Sequence, residues 1–110
     1  MKENYSIIYS AEAVDDIKAI YSYIAFMLKE PAIAKNQVNR IRMMIRALDY
    51  MPMRYACVDW EPWKSMNIRK AYADNFVIFY AVDGESMAVS IVRIFYGGRD
   101  IQGIVNLEQE

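Results

Sequence analysis

The cations and the tyrosine of the C-terminal half are the residues best suited to chemistry. Arg69 and Lys70 precede one apolar run, Arg93 and Tyr96 lie in another, and Arg99 follows Gly97-Gly98. Adjacent antiparallel strands lie about 5 Å apart, so these five side chains can converge on one rim. Such a cluster, without His or carboxylate, suits phosphodiester chemistry on RNA. Cations hold the scissile phosphate and its developing charge, and a tyrosine or lysine moves protons. It equally suits plain anion binding. Spacing alone favours a simpler arrangement, in which Arg93, between Val92 and Ile94, reaches the surface from a strand and Arg69 and Lys70 face solvent.

Other chemistries are excluded by composition. The chain has no His, so a Ser-His-Asp triad, a Cys-His pair and a histidine zinc site are ruled out. A single Cys57 rules out an internal disulfide and any CxxC pair, and fits a reducing cytoplasm. No metal and no cofactor are expected. Cys57, beside Val58 and Trp60, reads as a small packed hydrophobe, because no His is there to activate it. Trp60 and Trp63 suit a cover over one end of the core. Gly97-Gly98 lacks the GxxxxGK[ST] pattern of a phosphate loop and reads as a sharp turn. The eight Met suit filling gaps or lining partner grooves.

The formal charge of −1 hides an uneven distribution. Residues 35–54 carry five basic and one acidic side chain, among them Arg40, Arg42 and Arg46. This stretch is either a solvated helix face or a surface for phosphate or an acidic partner.

The elements that must position these groups follow from periodicity. At 110 residues and 55% hydrophobic, the chain allows one compact domain and excludes disorder, a Rossmann domain and a TIM barrel. A strand is expected over 4–9, and Ser10 is a good N-cap for a helix over 11–30. In that helix Ala13, Ile17, Ile20, Tyr21, Ile24, Met27 and Leu28 keep 3.6-residue spacing. Pro31 ends it. A second helix over 32–50 buries Ala34, Val38, Ile41, Ile45 and Leu48, and so short a connection makes a helical hairpin. Residues 51–65 read as an irregular connection. Strands are expected over 66–72, 76–82 and 87–96, with Asp83-Gly84 the strongest hairpin signal and 76–82 central, covered on both faces. A partly helical tail, 99–110, follows. The class is α+β in the order β-α-α-β-β-β, a helical hairpin on a mostly antiparallel sheet. No apolar run approaches the ~20 residues that span a bilayer, and no export signal is visible, so a cytoplasmic protein with no membrane partner is expected.

Three segments carry a family resemblance. Tyr5 to Ala13, followed by Asp15-Asp16-Ile17 and Ile20 to Ile24, resembles the opening of RelE/ParE-type toxins, also grouped as plasmid stabilisation proteins. Asn75 to Asp83 and Val89 to Ile101 resemble later segments in matching order and spacing. The resemblance implies the toxin of a type II toxin–antitoxin module, neutralised by a cognate antitoxin. One branch cleaves mRNA in the ribosomal A site, and another poisons DNA gyrase without being a nuclease. For the nuclease branch, Lys70 resembles a basic residue of the first hairpin strand, Arg99 the arginine after the last strand, and Tyr96 a C-terminal tyrosine; Arg69 would join Lys70 and Arg99 in holding phosphate. Arg40, Arg42, Arg46 and Arg93 are the candidate phosphate- or partner-binding residues. Val77 stands where those nucleases usually carry an arginine, and Phe95 where one subgroup carries a histidine base. The run Phe76 to Tyr80 and the ending Gly97 to Ile101 resemble the ParE side, the two departures count against ribosome-dependent cleavage, and a gyrase-type target is expected. A ribosome-dependent mRNA interferase and a non-toxic relative are the alternatives, and homodimerisation is left open.

Overall fold

The computed structural model describes residues 4–108. Strand β1 (Ser6–Tyr9) leads into helix α1 (Ala11–Ser22), which widens into a π-helical turn at Tyr23–Met27; helix α2 (Pro31–Ala47) runs back. A long connection then reaches strands β2 (Arg69–Ala73), β3 (Phe76–Asp83) and β4 (Ala88–Tyr96), and helix α3 (Ile101–Glu108) ends the described chain. The sheet order is β1-β4-β3-β2, with β1 parallel to β4 and the other pairs antiparallel. This is the expected α+β fold.

Helix α1 starts where Ser10 Oγ accepts from Ala13 N, at 2.9 Å, and donates to Val92 O, at 2.8 Å. One hydroxyl thus caps the helix and ties it to β4, a cap being typically worth about 1 kcal/mol. The α-helix does not continue to residue 30. Leu28 N reaches back five residues to Tyr23 O, and Lys29 then takes a left-handed conformation (φ 57°) before Pro31 opens α2. The wider turn shifts the phase of the apolar stripe. Ala13, Ile17 and Ile24 are buried, but Tyr21, Met27 and Leu28 are exposed. Helix α2 buries Ala34, Val38, Ile41 and Ile45 and stops at Ala47; the fifth expected position, Leu48, is buried just past its end, and Met51 is left-handed beyond it.

The strand expected from residue 66 begins at Arg69, because Ile68 N bonds to Trp63 O and Asn67 is left-handed. Between β3 and β4 the turn is looser than a two-residue hairpin: Asp83 accepts from Glu85 N and Ser86 N, and Met87, not Gly84, takes positive φ.

Two apolar layers sandwich the sheet. Ile78, Tyr80, Ile91 and Ile94 meet α1 and α2. On the opposite face Val77, Phe79 and Phe95 meet Val58, Trp63 and Ile68 of the connection and Val105 of α3. The tryptophans therefore cover one end of the core, with their rings stacked at 5.2 Å. Cys57 is exposed rather than packed; its backbone bridges Arg69 at the sheet edge, which turns the side chain outward. Five of the eight Met (27, 43, 51, 53 and 66) are exposed, so most methionines are not gap-fillers.

Candidate functional site

Strand register decides which of the candidate residues meet. Lys70, Phe79 and Arg93 are directly opposed across β2, β3 and β4, on the face that α3 covers. Ala73, Phe76 and Tyr96 form another row, three residues further along β3. At about 3.3 Å per residue the two rows are roughly 10 Å apart, and an odd separation puts them on opposite faces. Tyr96, with its ring 5.9 Å from that of Phe76, therefore looks toward the helices while Lys70 looks away from them.

Arg69 is further still, in register with Tyr80. Its guanidinium donates to Tyr55 O, at 2.6 Å, and Met53 O, at 3.1 Å, pinning the connection after α2 to the sheet edge. Neighbouring Tyr80 donates to Pro52 O at 2.6 Å, and burial pushes its pKa up to about 12 against the opposing pull of Arg69 and Arg54.

Arg93 and Arg99 do converge. Their guanidinium carbons sit 4.5 and 5.5 Å from the centre of the Phe95 ring. Arg93 is not free for a ligand, however. It donates to both carboxylate oxygens of Asp16, at 2.8 and 3.1 Å, and to Glu108 of α3. The Asp16 bond, more than Glu108, holds its pKa above the usual arginine value against partial burial. Asp16 also accepts from Ile94 N, at 2.9 Å, beyond the point where β1 stops pairing with β4. Asp16 lies outside the apolar stripe of its helix, and nothing in the local sequence signals this role; its partners Arg93 and Ile94 stand almost eighty residues on.

Tyr96 and Arg99 share a groove of about 780 Å³ with Ile20, Tyr23, Leu28 and Phe76. Of the helical cations, Arg40 is bound to Asp74 in the β2–β3 turn, at 2.5 Å, and this bond lowers the Asp74 pKa. Arg42 and Arg46 are exposed and form no ion pair among the described residues; both face Tyr9, whose pKa burial nonetheless raises. The glycines after β4 serve close approach, since a Cβ on Gly98 would lie 2.6 Å from the Tyr96 ring. Neither has positive φ.

Residues 7–101 match the family model described as the ParE toxin of the type II toxin–antitoxin system. The chain belongs to the ParE toxin family. It is thus a toxin of the type II class, and the RelE/ParE resemblance stands. Among solved structures it is similar to the chromosomal ParDE system of P. aeruginosa, with TM-score 0.69 and 23% identity over 86% of this chain and 97% of that one. It is also similar to the RelBE2 toxin–antitoxin complex of Mycobacterium tuberculosis (TM-score 0.61, 17% identity, 84% and 91% covered). A third is the archaeal RelE–RelB complex of Pyrococcus horikoshii OT3 (0.61, 13%, 87% and 98%). These likenesses establish the fold. No curated protein matches the sequence significantly. In this ParE-family chain, no helix of the described residues is long and apolar enough to cross a membrane.

Proposed function

We propose that this toxin arrests growth by binding an essential protein target of the DNA gyrase type, without cutting RNA, and is silenced by a cognate antitoxin. The observation that carries this reading is the Val77–Phe95 pair. These two positions, where nuclease relatives would place an arginine and a histidine, are directly opposed in register and 4% and 2% exposed. Val105 of α3 and Trp63 pack in the same cluster. A phosphate-binding cation or a general base needs a charged or titratable atom, and neither of these buried side chains carries one. The remaining nuclease candidates are divided between two faces, so no single phosphate is reached by Lys70 and Tyr96 together.

Expression of the chain alone should stop bacterial growth, and purified chain should inhibit DNA supercoiling by gyrase while leaving mRNA intact in a translating extract. Codon-dependent mRNA breaks would instead establish the nuclease. Normal supercoiling at excess toxin would overturn the gyrase-type target, and healthy growth would establish a non-toxic relative.

A further inference from the structure

The turn between α1 and α2 leaves large apolar side chains in water. Phe26 and Met27 are 70% and 73% exposed, and Tyr23 and Leu28 are each more than half exposed. In the π-helical turn Ile24 and Ala25 pack inward with Ala34 of α2, and the other side chains of the turn are left facing outward. Tyr23 and Leu28 also line the groove that holds Tyr96 and Arg99, so the hairpin tip and the groove adjoin along one edge. Tyr23, Phe26, Met27, Leu28 and the half-exposed Tyr96 together present roughly 600 Å², at the ~150–250 Å² of a large side chain. A contiguous apolar patch of that size marks an interaction surface. Two charges flank it. Glu30 is exposed, does not cap α2 with its side chain, and forms no ion pair among the described residues. Arg99 is exposed at the groove and likewise forms no ion pair among them. The groove's own carboxylate, Asp16, is already matched by Arg93 and Ile94 N.

We propose that the chain forms a two-fold homodimer in which the hairpin tip of each copy, Phe26 to Leu28, seats in the Tyr96–Arg99 groove of the other. Three features select a second copy as the occupant. Tip and groove share the Tyr23–Leu28 edge, so a two-fold axis through that edge makes both contacts at once and closes the assembly at two copies. The two patches together bury about 1,200 Å², above the ~1,000 Å² that a specific interface needs. Glu30 of one copy meets Arg99 of the other, which gives each unpaired charge a partner and fixes the register. A nucleic acid finds no such match, because Lys29 and Glu30 leave the tip without net charge. In the dimer the Tyr96–Arg99 groove is closed, and only the monomer offers it to another ligand.

The test is sedimentation velocity of the purified chain over a range of micromolar concentrations, with neither antitoxin nor target present. The parent should sediment as a monomer–dimer equilibrium. Phe26→Asp/Met27→Asp should weaken dimerisation by at least about tenfold, since it places charge at the centre of the contact. Glu30→Arg and Arg99→Glu should each weaken it, and the two together should restore it toward the parent. Lys64→Glu, an exposed charge reversal on the tryptophan loop, should dimerise as the parent does. All variants should keep the parent's circular dichroism, because every altered side chain is exposed. A parent that stays monomeric at every concentration would overturn the proposal. A dimer that Phe26→Asp/Met27→Asp leaves intact would put the contact on another face, and a charge swap no better than its single changes would overturn the seating of tip in groove. A monomeric parent whose growth arrest is lost in Phe26→Asp/Met27→Asp would instead assign the tip to the target protein. None of these outcomes in the purified chain bears on the toxin reading itself.

Discussion

Two side chains show how burial decides what a polar contact contributes. The Tyr80 hydroxyl is sealed beneath the connection and donates to Pro52 O. Tyr80→Phe leaves that carbonyl unmet and should cost about 1–3 kcal/mol in urea unfolding. Because the folded pKa is raised from 10 to about 12, the stabilisation tied to the protonated phenol is complete below pH 10. It is lost as pH rises toward 12, where the unfolded chain has already released its proton. Tyr80→Phe should therefore lack part of the parent's fall in stability between pH 10 and 12. The two ion pairs make the same point by contrast. Arg93 and Asp16 are 15% and 14% exposed, and Arg93→Gln strands a largely buried carboxylate, with an expected loss of about 2–3 kcal/mol. Arg40 and Asp74 are 51% and 46% exposed, so Arg40→Gln should change stability by less than about 1 kcal/mol, and less again in high salt. Equal effects of the two arginine variants in denaturant melts would refute this ranking.

At the scale of elements, regularity was legible wherever an amphipathic pattern met a sheet or helix of matching period. The α2 stripe and the doubly covered β3 follow from spacing alone, because each is stabilised by burying residues at that spacing. The π turn at Tyr23–Met27 was not legible, since it trades one intrahelical register for another at nearly the same composition. Nor was the order of the long connection. Its path is fixed by Arg69 reaching Met53 O and Tyr55 O and by Tyr80 reaching Pro52 O, contacts made from other elements. The hairpin tip gives a direct check. Lys29 holds φ 57° where a non-glycine residue is strained by about 1–2 kcal/mol. Glycine would remove that strain and return part of the gain as greater freedom of the unfolded chain. Lys29→Gly should therefore stabilise the fold by about 0.5–1 kcal/mol, seen as a higher urea midpoint with an unchanged slope. A lower midpoint would mean that Lys29 makes compensating contacts.

For the whole molecule, the decisive property is that both faces of the sheet are covered, by the helical hairpin on one side and by α3 with the tryptophan loop on the other. The sequence placed cations and a tyrosine near strand ends, and that much of the candidate site was legible. It could not tell which side chains share a row, because the register of β2 on β3 and of β3 on β4 is set by packing between strands rather than by spacing within one. The same two-sided cover predicts what happens if nuclease chemistry is put back. Val77→Arg restores the residue type that nuclease relatives carry, but 4% exposure and the Val105 and Trp63 packing leave it no route to solvent. An unpaired buried charge should cost roughly 3–5 kcal/mol. Val77→Ala, which opens only a small cavity, should cost about 1–2.5 kcal/mol. Thermal melts should rank the parent above Val77→Ala and Val77→Arg last, and neither variant should break mRNA in a translating extract. A Val77→Arg protein that folds as stably as the parent and cuts mRNA would place an accessible phosphate site on this face. It would overturn the assignment of the sheet to packing rather than catalysis.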